Sequence, residues 1–114
     1  MPVDKTLLSG STALLILKLL SDGDKYGYQM IEELSRRSND TFQMKEGTLY
    51  PILHALEKDK YLSSYQQEAP TGRVRKYYKL TKKGKKLLDE KRAEWEAFHH
   101  GVNSVLSGGA VSFS

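Results

Sequence analysis

The chain contains no cysteine and no long apolar run, and each absence excludes a class of protein. Without cysteine in its 114 residues, the protein can form neither disulfides nor thiolate metal sites. The longest apolar run, residues 13–20, is interrupted by Lys18 and is shorter than the ~18 residues that a membrane span requires. The N-terminal sequence MPVDKTLL lacks the pattern of a secretory signal. These absences predict a cytoplasmic protein with no membrane partner.

The sequence also lacks the motifs of an enzyme. It contains no Ser-His-Asp set in suggestive spacing, no metal triad and no glycine-rich phosphate loop. His99 and His100 are adjacent, but neighbours on a helix point about 100° apart and do not form a chelating pair. We therefore expect no catalytic residue, no metal site and no cofactor, and a function based on binding.

Positive charge, by contrast, is concentrated in one segment. Residues 69–88 contain eight basic side chains and no acidic one, although the net charge of the whole chain is only +4. Such a cationic surface suits contacts with DNA phosphates, whereas the alternative is an ordinary solvated helix start. We favour contact with double-stranded DNA. The basic residues are Arg73, Arg75, Lys76, Lys79, Lys82, Lys83, Lys85 and Lys86.

The pattern of apolar residues predicts a mainly α fold with a small β-hairpin. The predicted helices cover residues 11–20, 26–38 and 46–59, and the predicted strands cover residues 61–68 and 73–80. Apolar residues at helical spacing are expected to form the buried faces of the second and third helices. These residues are Tyr28, Ile31 and Leu34 in the second helix, and Leu49, Ile52, Leu53 and Leu56 in the third.

The opposite side of the third helix is nearly free of charge at its N-terminal end, unlike an ordinary solvated face. A helix of this kind fits the major groove of DNA, and a basic hairpin beside it can reach phosphates or the minor groove. The combination predicts a winged helix-turn-helix. Pro51 calls for a helix start near Gly47 or Thr48, or for a kink. The residues of this side are Gly47, Pro51, His54 and Lys58, flanked by Thr48 and Tyr50.

A long final helix follows, capped by Thr81 and ending near residue 106. A seam of residues along it repeats at steps of four and three, the spacing of a helix that packs along another helix. The seam either folds back on the first helix or packs against a second copy of the chain, which we favour because no later element covers it. Trp95, with Phe98 beside it, is either an aromatic anchor there or the wall of an aromatic-ligand site. The seam residues are Gly84, Leu88, Lys91, Trp95, Phe98, Val102 and Val105, with Leu88, Trp95, Phe98 and Val102 as the expected dimer or ligand contacts.

These patterns divide the chain into three parts. Residues 1–80 are predicted to form the winged helix-turn-helix domain, and residues 81–106 the dimerisation helix. Residues 107–114 are small and polar, and we expect a disordered tail there.

Three segments carry a resemblance to a known family. They read LLILKLLSDGDKYGYQMIEEL, KEGTLYPILHALEKDKYLSSY and GRVRKYYKLTKKGKK. Together they closely resemble the PadR family of bacterial transcriptional regulators, over about residues 10–100 and in the right order. YGYQM, GTLYPIL, LEKDKYL and RKYYKLT are specific in combination, whereas any one alone would be weak. The single helix after the wing resembles the small subfamily.

The resemblance implies a homodimeric winged-helix repressor that binds a palindromic operator and responds to a small aromatic effector. The alternative is a winged-helix module that contacts another protein without sequence-specific DNA binding, although such modules usually lack so one-sided a basic segment. Carried over to this chain, the expected DNA contacts are Tyr26, Lys45, Gly47, Thr48, Tyr50, Pro51 and His54, with Arg73, Arg75 and Lys76 on the wing.

Overall fold

A computed structural model describes residues 8–108 of the chain. Its elements confirm a mainly α fold with a small β component, arranged as a winged helix. Ser107 and Gly108 form a turn after the last helix, and the rest of the predicted tail lies outside the described residues. In chain order the elements are α1 (Thr12–Ser21), β1 (Lys25–Tyr26), α2 (Gly27–Arg37), α3 (Glu46–Lys58), β2 (Leu62–Glu68), β3 (Val74–Leu80) and α4 (Lys82–Leu106).

The core lies between α1, α3 and the inner face of the sheet. Leu17 of α1 and Leu53 of α3 are completely buried, and Tyr78 of β3 packs in the same cluster. Burying side chains of this size stabilises the fold by roughly 1.5–3 kcal/mol each. The stripe predicted on α3 is buried as expected, except that Ile52 is half-buried at its margin.

The buried face of α2 differs from the prediction. Gly27, Met30 and Leu34 are buried, whereas Tyr28 is 54% exposed. The cause is a close contact between the start of α2 and α3, because the ring of Tyr50 fills the space where any other residue at position 27 would have a Cβ atom. Because neighbouring residues on a helix point about 100° apart, Tyr28 points away from this contact and is exposed, and the predicted stripe was wrong at this position.

The sheet has three strands in the order β1-β3-β2, all antiparallel, so the predicted hairpin is joined by a strand that the sequence did not reveal. β1 consists of only two residues, with Tyr26 opposite Tyr77 of β3. At the wing turn, the Gly72 N–H donates to the carbonyl of Ala69 at 2.8 Å. Gly72 has φ +88°, a conformation that residues with a Cβ atom rarely adopt.

The first part of α4 is fixed to the rest of the fold. The Thr81 hydroxyl accepts a hydrogen bond from the Gly84 N–H at 3.0 Å, which confirms the predicted cap. Gly84 lies directly against the backbone of Tyr61, where a Cβ atom would collide with the carbonyl oxygen. Leu88 is only 7% exposed and belongs to the core of the single chain. The sequence predicted Leu88 as a dimer or ligand contact, and in the single chain its side chain is already covered by the core.

Beyond the core α4 extends into solvent, and the longest dimension of the described chain is 64 Å. The predicted seam therefore has two parts. Its beginning folds back on α1 and the core, whereas its end has no covering element within residues 8–108. Among the same residues, no helix combines the length and the apolarity needed to cross a membrane.

Candidate nucleic-acid interface

The N-terminal part of α3 presents most of the predicted groove face to solvent. Gly47, Thr48, Pro51 and His54 are all exposed, while the leucines of the same helix point into the core. The helix begins at Glu46, the first residue of the predicted range, and its exposed N-cap residue is Lys45, whereas Pro51 suggested a cap near Gly47 or Thr48, or a kink.

Pro51 therefore lies in the second turn of α3. It has no N–H to donate to the carbonyl of Gly47, four residues earlier. The carbonyl of an exposed residue can turn towards water or a bound partner, which makes proline tolerable at this position.

Tyr50 has a different environment from the rest of this face. It is half-buried, and its ring packs against Gly27 at the start of α2. Burial raises the pKa of the Tyr50 hydroxyl, and the nearby Glu46 carboxylate acts in the same direction. The Tyr50 ring lies 6.3 Å from the ring of His54, centroid to centroid. Tyr50 thus joins α2 to α3 and reaches the surface with only part of its ring.

The wing places its basic side chains in three different environments. Arg73 follows the turn and is exposed. Arg75 is half-buried, with its guanidinium 4.4 Å from the centroid of the Tyr26 ring. Lys76 points to α3, where its ammonium nitrogen lies 3.5 Å from Glu57 Oε1. A partly exposed pair of this kind contributes little to stability, so Lys76 can exchange it for another anion.

Glu57 is held mainly by another partner. The Ser64 hydroxyl donates a short hydrogen bond to its carboxylate, and this bond, with the weaker attraction of Lys76, lowers the pKa of Glu57. The carboxylate therefore stays ionised and orients Lys76 along the outer surface of α3.

The start of α2, the start of α3 and the wing together enclose an open cleft of about 540 Å³. It gathers the aromatic and basic residues predicted from distant parts of the sequence, and it adds Tyr28, which the sequence placed in the core. Tyr28 lies only two positions after Tyr26, so proximity to a predicted contact was the one signal that could have found it. The predicted residues that line the cleft are Tyr26, Tyr50, Arg73, Arg75 and Lys76.

The basic segment of residues 69–88 does not form one surface. Its second half begins α4, which packs beside Tyr61 at the C-terminal end of α3. Lys83 donates to the carbonyl of Asp59 at 2.8 Å and thereby complements the C-terminal end of the α3 dipole. The seven residues of β3 span roughly 20 Å at ~3.3 Å per residue, so these lysines lie far from the wing turn.

The outer half of α4 presents a second exposed surface, which is apolar. Trp95 is 42% exposed and stacks on His99 with a centroid distance of 4.7 Å, and Phe98 is 68% exposed. Val102 is also exposed. Trp95 and Phe98 line an open cavity of about 340 Å³ against Leu14 of α1. We call the exposed residues Trp95, Phe98, Val102, Val105 and Leu106 the α4 stripe.

The described residues offer no alternative metal centre. Within residues 8–108, no group of three or more His, Asp or Glu side chains is arranged to hold a metal ion.

Comparisons with known proteins agree with this geometry. The transcriptional regulator PadR-like family matches residues 16–90. Transcriptional regulator Rv3488 of Mycobacterium tuberculosis is 39% identical over 93 residues, which cover 82% of this chain and 80% of that protein.

Solved structures show the same fold. A transcriptional regulator from Clostridium thermocellum superposes with a TM-score of 0.80 and 33% identity, covering 87% of this chain and 96% of that one. A PadR family transcriptional regulator from Eggerthella lenta superposes with a TM-score of 0.78 and 30% identity, covering 89% and 86%. The chain is a winged-helix member of the PadR-like family of transcriptional regulators.

Proposed function

We propose that this PadR-family regulator represses transcription by binding a palindromic operator as a homodimer, and that a small aromatic ligand releases it. The observation that carries the proposal is the exposed, nearly charge-free face of α3 beside the arginines of the wing. Each part of the proposal depends on a different surface of the chain.

The face of α3 supports reading of the major groove. Small residues such as Gly47 let the helix approach the base edges closely, and Thr48 and His54 can donate or accept hydrogen bonds there. Lys45 stands at the helix start, where it can contact a phosphate at the groove edge. Because this face of α3 carries few charged groups, the discrimination between base sequences comes from hydrogen bonds and shape.

The wing and the start of α2 support contacts with the DNA backbone. Arg73 is exposed beside the wing turn, Arg75 lies on the Tyr26 ring with part of its side chain exposed, and the ion pair of Lys76 with Glu57 is weak enough to be exchanged for a phosphate. These cations are strong partners for phosphate oxygens. They fix the register of α3 on the duplex but carry no base preference of their own.

The α4 stripe supports the homodimer. Contiguous exposed apolar side chains are uncommon on monomeric proteins and usually mark an interface. Residues 98, 102 and 105 recur at steps of four and three, which suits packing of α4 against its copy. A two-fold dimer then presents two copies of α3, and a two-fold dimer matches a palindromic operator with half-sites about one helical turn apart, ~34 Å.

The cavity beside Trp95 supports the proposed ligand release. Its wall is formed by Trp95 and Phe98 on one side and by Leu14 on the other, so a flat aromatic ligand finds apolar contacts there. The cavity is next to the proposed dimer contact. A ligand that binds it changes the angle between subunits and with it the spacing of the two α3 helices.

A protein-interaction module is the competing function. It would use the wing for protein contacts, and DNA affinity would be weak and without sequence preference. The structural observation against it is the spread of exposed polar groups over both α3 and the wing, since a module that binds through the wing alone has no need of the α3 face.

The test uses the full chain and duplexes selected by it from a random library. We expect selection of a two-fold symmetric sequence and an affinity that falls by about 10³-fold or more between 50 and 200 mM salt, because several phosphate contacts release counterions. Recovery of no preferred sequence, together with a flat salt dependence, would refute the proposal. Quenching of Trp95 fluorescence by planar aromatic compounds tests the ligand site separately.

A further inference from the structure

The outer face of the sheet carries three tyrosines in a row, one on each strand. Tyr26 of β1 and Tyr65 of β2 both lie opposite Tyr77 of the central strand. The Tyr26 ring meets the Tyr77 ring edge-on at a centroid distance of 5.5 Å, and the Tyr77 ring stacks on Tyr65 at 5.6 Å. Both geometries are favourable for aromatic pairs. We call these three residues the tyrosine row.

The tyrosine row is closed at its far end by a hydrogen bond. The Tyr65 hydroxyl donates to Asp24 Oδ2 at 2.7 Å, and Asp24 precedes Tyr26 by two residues. This bond raises the pKa of the Tyr65 hydroxyl, so the phenol remains a neutral donor at ordinary pH. The contacts therefore form a ring that ties the wing hairpin to the start of α2.

β1 is itself fixed to the body of the protein. The Lys25 ammonium donates to the carbonyl of Leu19 at 2.9 Å and to that of Gly23 at 3.2 Å, where α1 ends. The tyrosine row thus extends from an anchored segment and adds a connection between the wing and the start of α2 on the outer face of the sheet.

Arg75 rests on the anchored end of this row. Its guanidinium lies 4.4 Å from the centroid of the Tyr26 ring, a favourable cation–π distance. Within residues 8–108 it takes part in no ion pair, so its charge is not neutralised by a carboxylate. Arg73 provides a contrast, since it is exposed and no aromatic ring of the described part of the chain lies beneath its guanidinium.

The structure assigns the tyrosine row the role of positioning Arg75 for DNA, an inference that rests on the proposed function. Tyr26 acts through its ring, which holds the guanidinium, and not through a hydroxyl contact with phosphate. Tyr77, Tyr65 and Asp24 keep that ring in place. An arginine held in its binding orientation loses less conformational freedom when the duplex arrives, which strengthens binding without adding a contact.

A double-mutant cycle on the selected duplex tests this role. Tyr26→Phe keeps the ring and should retain most of the DNA affinity that a variant without the ring loses. Tyr26→Leu removes it and should lower the affinity about threefold to tenfold, the range of an exposed cation–π contact together with lost preorganisation. In an Arg75→Ala background, Tyr26→Leu should have no further effect. In the matched Arg73→Ala background, it should keep its full effect.

Two further measurements separate positioning from folding. Tyr65→Phe removes only the bond to Asp24 and should lower the affinity by a smaller factor, about twofold, and only when Arg75 is present. In the free protein, the NMR signals of the Arg75 side chain should be shifted upfield by the Tyr26 ring, should keep that shift in Tyr26→Phe and should lose it in Tyr26→Leu.

Three outcomes would overturn the inference. They are a loss of affinity in Tyr26→Phe as large as in Tyr26→Leu, an undiminished effect of Tyr26→Leu without Arg75, and no ring-current shift on Arg75 in the wild type. A wild-type protein that selects no duplex would refute the proposed function instead, and the shift would still decide whether Tyr26 holds Arg75.

Discussion

The two exposed ends of this molecule differ in how their side chains are held. At the α3–wing end, polar and basic side chains are held by neighbouring residues. The Tyr26 ring contacts the Arg75 guanidinium, and Glu57, which accepts a hydrogen bond from Ser64, pairs with Lys76. At the outer end of α4, apolar side chains such as Phe98 stand in solvent with little beneath them. The side chains of the first end are therefore held in place by their own chain, whereas those of the second end have little of their own chain to hold them.

The difference fits the two partners proposed above. Supported cations beside a hydrogen-bonding helix face suit a rigid, charged partner such as DNA. Unsupported apolar side chains at helical spacing suit a second helix with the same surface. Between the two ends, Gly84 and Leu88 pack into the core and couple α4 to the DNA-binding fold.

The largest effect on DNA affinity should come from placing charges in the apolar α4 stripe. Phe98→Glu with Val102→Glu places charges in the α4 stripe, and we expect a folded monomer whose affinity for a two-half-site duplex falls by about 100-fold or more, because bivalent binding is lost. Sedimentation measures the monomer. His100→Glu, on the opposite side of α4, is the control and should remain dimeric; a dimeric double variant would contradict the interface.

A smaller effect should follow from removing charge at the polar end. Arg73→Ala with Arg75→Ala should weaken binding to all duplexes about equally, by roughly 10- to 100-fold, with a shallower dependence on salt. Lys85→Ala with Lys86→Ala removes the same charge from the far end of the basic segment. That control should leave affinity and salt slope nearly unchanged, and equal losses in both variants would show that the whole segment contacts DNA.

Substitution of His54 should change the preference for particular base sequences more than the overall affinity for DNA. His54→Ala removes a hydrogen-bonding group from the groove face of α3, and discrimination at one or two base positions should fall by about 1–3 kcal/mol. Selection from a random library with the variant measures this. An unchanged selected sequence would remove His54 from the reading face, and Lys58→Ala, one turn further from the helix start, serves as the comparison.

The smallest effect concerns the support between α2 and α3. Gly27→Ala introduces a methyl group where Tyr50 now lies, so the free energy of unfolding should fall by about 1–3 kcal/mol in urea denaturation. In Gly47→Ala the added methyl group has no atom within 4 Å. This substitution should raise the free energy of unfolding by up to about 1 kcal/mol, because alanine has the higher helix propensity. Equal effects of the two substitutions would contradict the packing described for Tyr50.

The sequence predicted the elements that have a strong local signal. The apolar stripe of α3, the wing turn at Gly72 and the cap at Thr81 each depend on residues close together in the chain. The two-residue strand β1 gave no such signal, since it is too short for any periodicity. It also determines where Tyr26 and Arg75 meet, which is why their contact could not be predicted.

Two residues lie in surroundings that the helical patterns did not predict, and the physical cause is the same for both. Tyr28 and Leu88 both occupy positions on regular helical patterns, and a pattern does not say which neighbour covers each turn. Gly27 lets α3 approach closely, and Tyr28, the next residue on the helix, points away from this contact; Gly84 lets α4 approach Tyr61, and Leu88, one turn later on the same side, is buried. In both cases a glycine contact at long range decided the outcome.

The most direct test of the account is the stoichiometry of the complex between the full chain and its selected duplex, measured by sedimentation at physiological salt. We predict two chains on each duplex, with a two-fold symmetric sequence and half-sites about one helical turn apart. A single chain on each duplex, bound as tightly as the dimer is expected to bind, would contradict it.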